Sequence, residues 1–306
     1  MKLKETITAP IAVLVSYGLY IACYRTTWVR DALLRGGDYD LLSGIVLELM
    51  ILLIPALMYA KIKGQGYSAK MNFASLRPTG SILALCALII ALTGVILIAM
   101  GYTATGIAHS KYLLSDTYGM LLPDSEQDVF LRCMNYALIP AVAEEILYRG
   151  ILVTEYSESG VGHAVFFSSL LYALSSFNAL EAPVYFFIGV IFALTYYVTR
   201  SLPLTIITRL IFNLLIFYFE DAAWTLILKN ANSVFLFCFC LILLLAAAVL
   251  ALSEAQRLYY TRGIDGEKAP AEWSPGESLK ARILTATLSP TFMLCIGIFV
   301  AVIIGM

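Results

Sequence analysis

Nine stretches of this 306-residue chain are apolar and long enough to cross the roughly 30 Å hydrocarbon core of a bilayer as helices. They lie at about 7–24, 41–61, 80–101, 133–155, 162–179, 183–199, 202–219, 233–252 and 283–305. In hydrocarbon every backbone N–H and C=O must find its partner inside the structure, so spans are either helices or strands of a closed barrel. Continuous apolar runs of this length, without strand alternation, are helices. The fold class is therefore all-α: a polytopic transmembrane helical bundle of eight to nine spans around an internal polar cavity. The composition agrees, with 60% hydrophobic and 13% charged residues and a mean hydropathy of +0.85, far from the soluble norm.

The sequence reads as one membrane domain over 1–306, with a Gly- and Pro-containing polar cytoplasmic loop at 253–282 and an interfacial segment at 102–132 that carries His109, Asp116, Asp124, Glu126 and Asp128. A net charge of −1 leaves no basic face for nucleic acid. The six cysteines sit in or beside apolar runs, without disulfide or metal-ligand spacing. No cofactor and no metal is implied. The start Met1-Lys2-Leu3-Lys4 leads into an apolar run without a cleavage site, so it reads as a retained first span. With nine crossings, one side collects twelve Lys and Arg residues and the other six, which places the N-terminus in the cytoplasm. The tyrosine pairs Tyr196-Tyr197 and Tyr259-Tyr260 read as parts of an interfacial aromatic belt.

The fourth run breaks the pattern. Pro140-Ala-Val-Ala-Glu144-Glu145-Ile-Leu-Tyr148-Arg149-Gly150 sets two acids and a guanidinium inside an apolar helix. Ionisable groups at such depth are costly and face a cavity or a partner. On a helix Glu145 and Arg149 are i,i+4 neighbours, as are Glu144 and Tyr148. Arg149 then holds Glu145, which leaves Glu144 as the freer carboxylate and the candidate general base. At 1.5 Å per residue the two acids lie about 18 to 20 Å from the cytoplasmic face, Ser176 about 20 Å, Asn213 about 16 Å and Arg209 about 10 Å. Three helices thus bring polar groups to overlapping depths.

The run Pro140 to Gly150 resembles the first motif of the CPBP family, the intramembrane glutamate endopeptidases that include type II CAAX prenyl proteases and bacteriocin-processing or immunity proteins. The family's second motif, aromatic-x-x-x-His, aligns with Tyr172-Ala-Leu-Ser-Ser176. Its third, His-x-x-x-Asn, aligns with Arg209-Leu-Ile-Phe-Asn213. The likeness covers about 126–220, the CPBP-like core. It implies Glu144 and Glu145 as the acid pair, one of them activating water for peptide-bond attack, with Arg149 as the orienting cation and Asn213 as the oxyanion donor. Tyr172, Ser176 and Arg209 would line the substrate site.

Serine and arginine stand where the family has histidines, and neither shuttles protons near neutral pH. His109 and His163 do not replace them: the first lies in the outer segment, the second at the cytoplasmic mouth of the fifth span, a solvated interfacial position. Two functions follow from the resemblance. One is an endopeptidase acting on a membrane-associated prenylated or leader peptide. The other is a catalytically silent pseudoprotease serving as scaffold, chaperone or immunity protein for a membrane partner, in the cytoplasmic membrane of a bacterium. The two separate on one distance: Arg209 within reach of Glu144 would neutralise it and turn the site into a buried ion-pair cluster.

Overall fold

A computed structural model describes residues 8–27, 29, 38–64, 66–73, 76–106, 128–157, 160–229, 233–264 and 286–305. Helix α1 is Ile11–Arg25, and α2 (38–63) joins Asp38–Glu48, a wide π segment Leu49–Leu53 and Ile54–Lys63. The short α3 is Tyr67–Lys70, and α4 is Ser81–Thr105. Helix α5 (129–156) is continuous from Val129 to Tyr156 with π segments at Met134–Leu138 and Glu145–Val153. There follow α6 (Val161–Leu174), α7 (Ala182–Thr199), α8 (Leu202–Lys229), α9 (Ser233–Ile264) and α10 (Pro290–Gly305). The described residues contain no strand.

The chain is an all-α transmembrane bundle. Among the described residues five helices are long and apolar enough to cross a bilayer, namely Leu41–Lys63, Pro78–Thr105, Ala182–Thr199, Leu202–Phe219 and Ser233–Thr261, and three shorter apolar helices accompany them. The first motif lies on α5, set apart by Arg132, Glu144, Glu145, Arg149 and Glu155. Two of the π segments have a local cause. Pro55 and Pro140 lack an N–H and press on the carbonyl four residues earlier, and the wide turns at Leu49–Leu53 and Met134–Leu138 absorb that conflict.

Helix α5 is the centre of the bundle, packed by α2, α6, α7 and α8. Helix α9 is the opposite case, lying mainly on α4 with only 11% of its span buried. Close approach of α6 and α7 depends on Gly189, where a Cβ would come within 3.0 Å of the Ser169 backbone. At one end of the bundle Lys63 pairs with Glu155 at 2.7 Å, the Tyr67 hydroxyl donates to Glu155 at 2.7 Å, and the Leu202 N–H reaches the Asn72 carbonyl at 3.4 Å. Burial and the neighbouring Glu155 charge push the Tyr67 hydroxyl's pKa up, so it serves as donor. Met71 is buried there, and its Sδ lies 3.2 Å from where a Cβ on Gly150 would stand.

Three expectations change. Tyr196 is not part of a belt: it is buried, donating to the Met71 carbonyl at 3.0 Å and accepting from the Thr154 hydroxyl at 3.1 Å. His163 is buried rather than solvated, 4.5 Å from the Phe167 ring and 5.5 Å from Tyr156 between centroids. The start of the polar stretch at 253 continues α9 as helix to Ile264, since no Gly or Pro interrupts it before Gly263 and Glu254 pairs with Arg257 at 3.1 Å. The rest of that loop, and His109, Asp116, Asp124 and Glu126, lie outside the described residues.

Candidate active site

The acid doublet does face the interior. Glu144 ends the α-helical turn that follows Pro140, and Glu145 opens the π segment, so the two carboxylates leave the helix on different sides. Glu145 is fully buried and Arg149, equally buried, places Nη1 3.1 Å from its Oε1. The i,i+4 pair expected from the sequence therefore forms even though the turn is widened.

Glu144 takes its partners from other helices. Arg209 of α8 puts Nη2 2.6 Å from Glu144 Oε2, and the Tyr172 hydroxyl of α6 donates to the same oxygen at 3.2 Å. The Arg209 Nη2 also donates to the Tyr172 hydroxyl oxygen. Tyr148, the i+4 neighbour of Glu144, instead sets its ring edge-on to Tyr172, 5.0 Å between centroids. Helices α5, α6 and α8 thus meet at one oxygen atom.

Aromatic rings line the two guanidiniums. The Tyr172 ring centroid is 4.7 Å from Arg149 Cζ and 5.2 Å from Arg209 Cζ, and the Phe192 ring of α7 is 5.9 Å and 5.4 Å from the same atoms. Guanidinium is weakly hydrated and stacks on π faces, so such rings replace part of the lost water. The cluster is a salt-bridged, aromatic-walled charge centre.

Two of the sequence-derived site residues stand apart from it. The Ser176 hydroxyl donates to the Ala173 carbonyl at 2.8 Å and accepts the Asn178 N–H at 3.3 Å. Helix α6 ends at Leu174, and Phe177 takes φ +47°, so Ser176 closes a turn rather than continuing a helix into the site. Asn213 is half-buried, and its side-chain N–H donates to the Ala137 carbonyl of α5 at 3.3 Å, tying α8 to α5. Neither residue has a polar contact to Glu144 or Glu145 among those described.

The sequence reading missed Glu48. This third acid is buried on α2, and the charges acting on it are those of Glu144 and Arg209. Its signal was available, a carboxylate inside the apolar run 41–61, with nothing to say which way that helix turns. Phe192 was missed for a plainer reason: an aromatic in an apolar helix gives no sign of stacking on arginine.

Residues 126–215 match the family model described as type II CAAX prenyl endopeptidase Rce1-like. Over this stretch the chain is similar to the Rce1-like family. The match spans the acid doublet, α6, α7 and the part of α8 that carries Arg209 and Asn213, less than a third of the chain. It agrees with the CPBP resemblance of the motifs. No curated protein and no solved structure matches the chain. The matched stretch thus holds a buried charge cluster in which Arg209 grips the first glutamate.

Proposed function

We propose that this integral membrane protein is a catalytically silent relative of CAAX-type endopeptidases. It keeps the protease frame and uses it to hold a membrane-embedded or lipid-modified peptide, or a partner membrane protein, rather than to cleave it. One observation carries the reading: the 2.6 Å contact between Arg209 and Glu144. A carboxylate held by a permanently charged guanidinium is a poor acceptor of a water proton, because protonating it leaves the arginine unpaired. The second support is that no histidine among the described residues borders Arg209, which Tyr172, Phe192 and Phe212 surround. In this reading Glu144, Glu145, Arg149 and Asn213 hold the helices of the core in register, and Tyr172 and Arg209 border the space a bound peptide approaches. The membrane is a bacterial cytoplasmic one, with the N-terminus inside; cysteine labelling from either face tests that sidedness.

An active endopeptidase is favoured by the retained Glu144, Glu145 and Arg149 set and by the family match. The two part in one assay. Protein in nanodiscs is incubated with a panel of prenylated and leader peptides, wild type beside Glu144→Ala. The silent reading expects binding without product in either; product formed by wild type and lost in Glu144→Ala overturns it.

A further inference from the structure

Glu48 closes the first segment of α2, next to the π turn Leu49–Leu53, and is 8% exposed. Helix α2 packs directly on the part of α5 that carries Glu144. They approach closely one turn earlier, where a Cβ on Gly44 would meet the Asn135 side chain, its Oδ1 at 2.7 Å. The Glu48 Oε1 has no hydrogen-bond partner among the described residues. On Arg209 the same holds for Nε and Nη1, because only Nη2 is engaged. The buried cluster therefore holds idle acceptors and idle donors, those of Glu145 and Arg149 answered only by their 3.1 Å ion pair, although a guanidinium offers five N–H groups in a fork suited to two carboxylates.

The charges do not balance. Glu48, buried on the helix packed against α5, joins Glu144 and Glu145 to make three acids against two cations, Arg149 and Arg209. Arg149 is committed to Glu145 within its own helix, so the remaining cation serves two acids. One proton shared by those acids restores neutrality.

We propose that Glu48 is the alternative counterion of Arg209, and that the guanidinium exchanges between Glu144 and Glu48 while one proton passes the opposite way. In the arrangement described above Arg209 sits on Glu144, and Glu48 holds the proton. In the other, Arg209 sits on Glu48 and the proton is on Glu144. No charge enters or leaves the cluster. The second arrangement turns Glu144 and Tyr172 into paired O–H donors toward a carbonyl of a bound peptide. This assigns the control of the binding site, and it rests on the silent-relative reading given above.

The test is a thermal-unfolding cycle on the full chain in nanodiscs. Glu48→Gln and Glu144→Gln each leave Arg209 one acid, so each single variant keeps its midpoint within about 4 °C of wild type. The double variant strands the guanidinium and falls by about 10 °C or more, well beyond the sum. Arg209→Leu added to the double variant recovers most of that loss, because the orphan charge is gone. Additive effects, a Glu144→Gln protein that fails to fold, or no recovery with Arg209→Leu would each overturn the proposal. The readout is independent of cleavage: Glu144-dependent product in the peptide assay would remove the silent reading and leave the cycle standing, whereas additivity would remove the exchange alone.

Discussion

The core contains two buried arginine–glutamate pairs that look alike by distance and differ in kind. Arg149 and Glu145 sit four residues apart on α5, 3.1 Å between charged atoms. Their meeting is a property of one helix. Arg209 and Glu144 are 65 residues apart and meet at 2.6 Å only because α5 and α8 pack together. The first pair fixes the register of a turn. The second carries the proposed silent reading, because it takes the carboxylate that an endopeptidase would turn toward water. A local pair survives small shifts of the bundle, while a cross-helix pair reports on them.

The largest effect is expected from Arg209→Ala. It strips the cation from Glu144, a hydroxyl partner from Tyr172 and the compensating field from Glu48, at a cost of about 4 to 5 kcal/mol, read as a fall in the unfolding midpoint. Arg149→Ala follows at about 3 kcal/mol, since a single buried acid loses its partner, and adding Glu145→Gln should return at least half of that. Equal losses, or no recovery, would erase the distinction between the two pairs. Tyr172→Phe removes the hydroxyl that bridges Arg209 and Glu144 but keeps the ring on both guanidiniums, so it should cost about 1 to 2 kcal/mol; a loss as large as that of Arg209→Ala would mean that the hydroxyl rather than the ion pair joins α6 to the cluster. Lys63→Ala breaks a pair at the bundle end whose lysine is 25% exposed, and it should cost no more than about 1 kcal/mol. A larger value would show that pairs outside the core share its character.

Hydropathy made the bundle legible, since run length maps directly onto helices, and the observed α2, α4, α7 and α8 overlap the runs at 41–61, 80–101, 183–199 and 202–219. The i,i+4 relation of Glu145 and Arg149 was legible for the same reason: it needs only helix periodicity. Depth counting brought Arg209 toward Glu144 but misplaced Ser176. It assumed a helix running to about 179, whereas α6 ends at Leu174 in a turn that takes up the Ser176 hydroxyl. Tyr148 failed as the partner of Glu144 because a widened turn follows that residue and a tyrosine from another helix takes its place. Glu48 could be noticed as an acid in an apolar run, but its direction depends on how α2 packs, which no periodicity encodes.

The strand of chain between Gly66 and Asn72 has a consequence for traffic. It lies across the end of α5, clamped to Glu155 through Tyr67 and to Tyr196 through the Met71 carbonyl, with Met71 pressed against Gly150. That route from the aqueous side is stoppered by sulfur and tyrosine. In the proposed reading, a guest for Tyr172 and Arg209 would then enter edgewise between helices, out of the lipid itself, which would favour molecules already dissolved in the membrane.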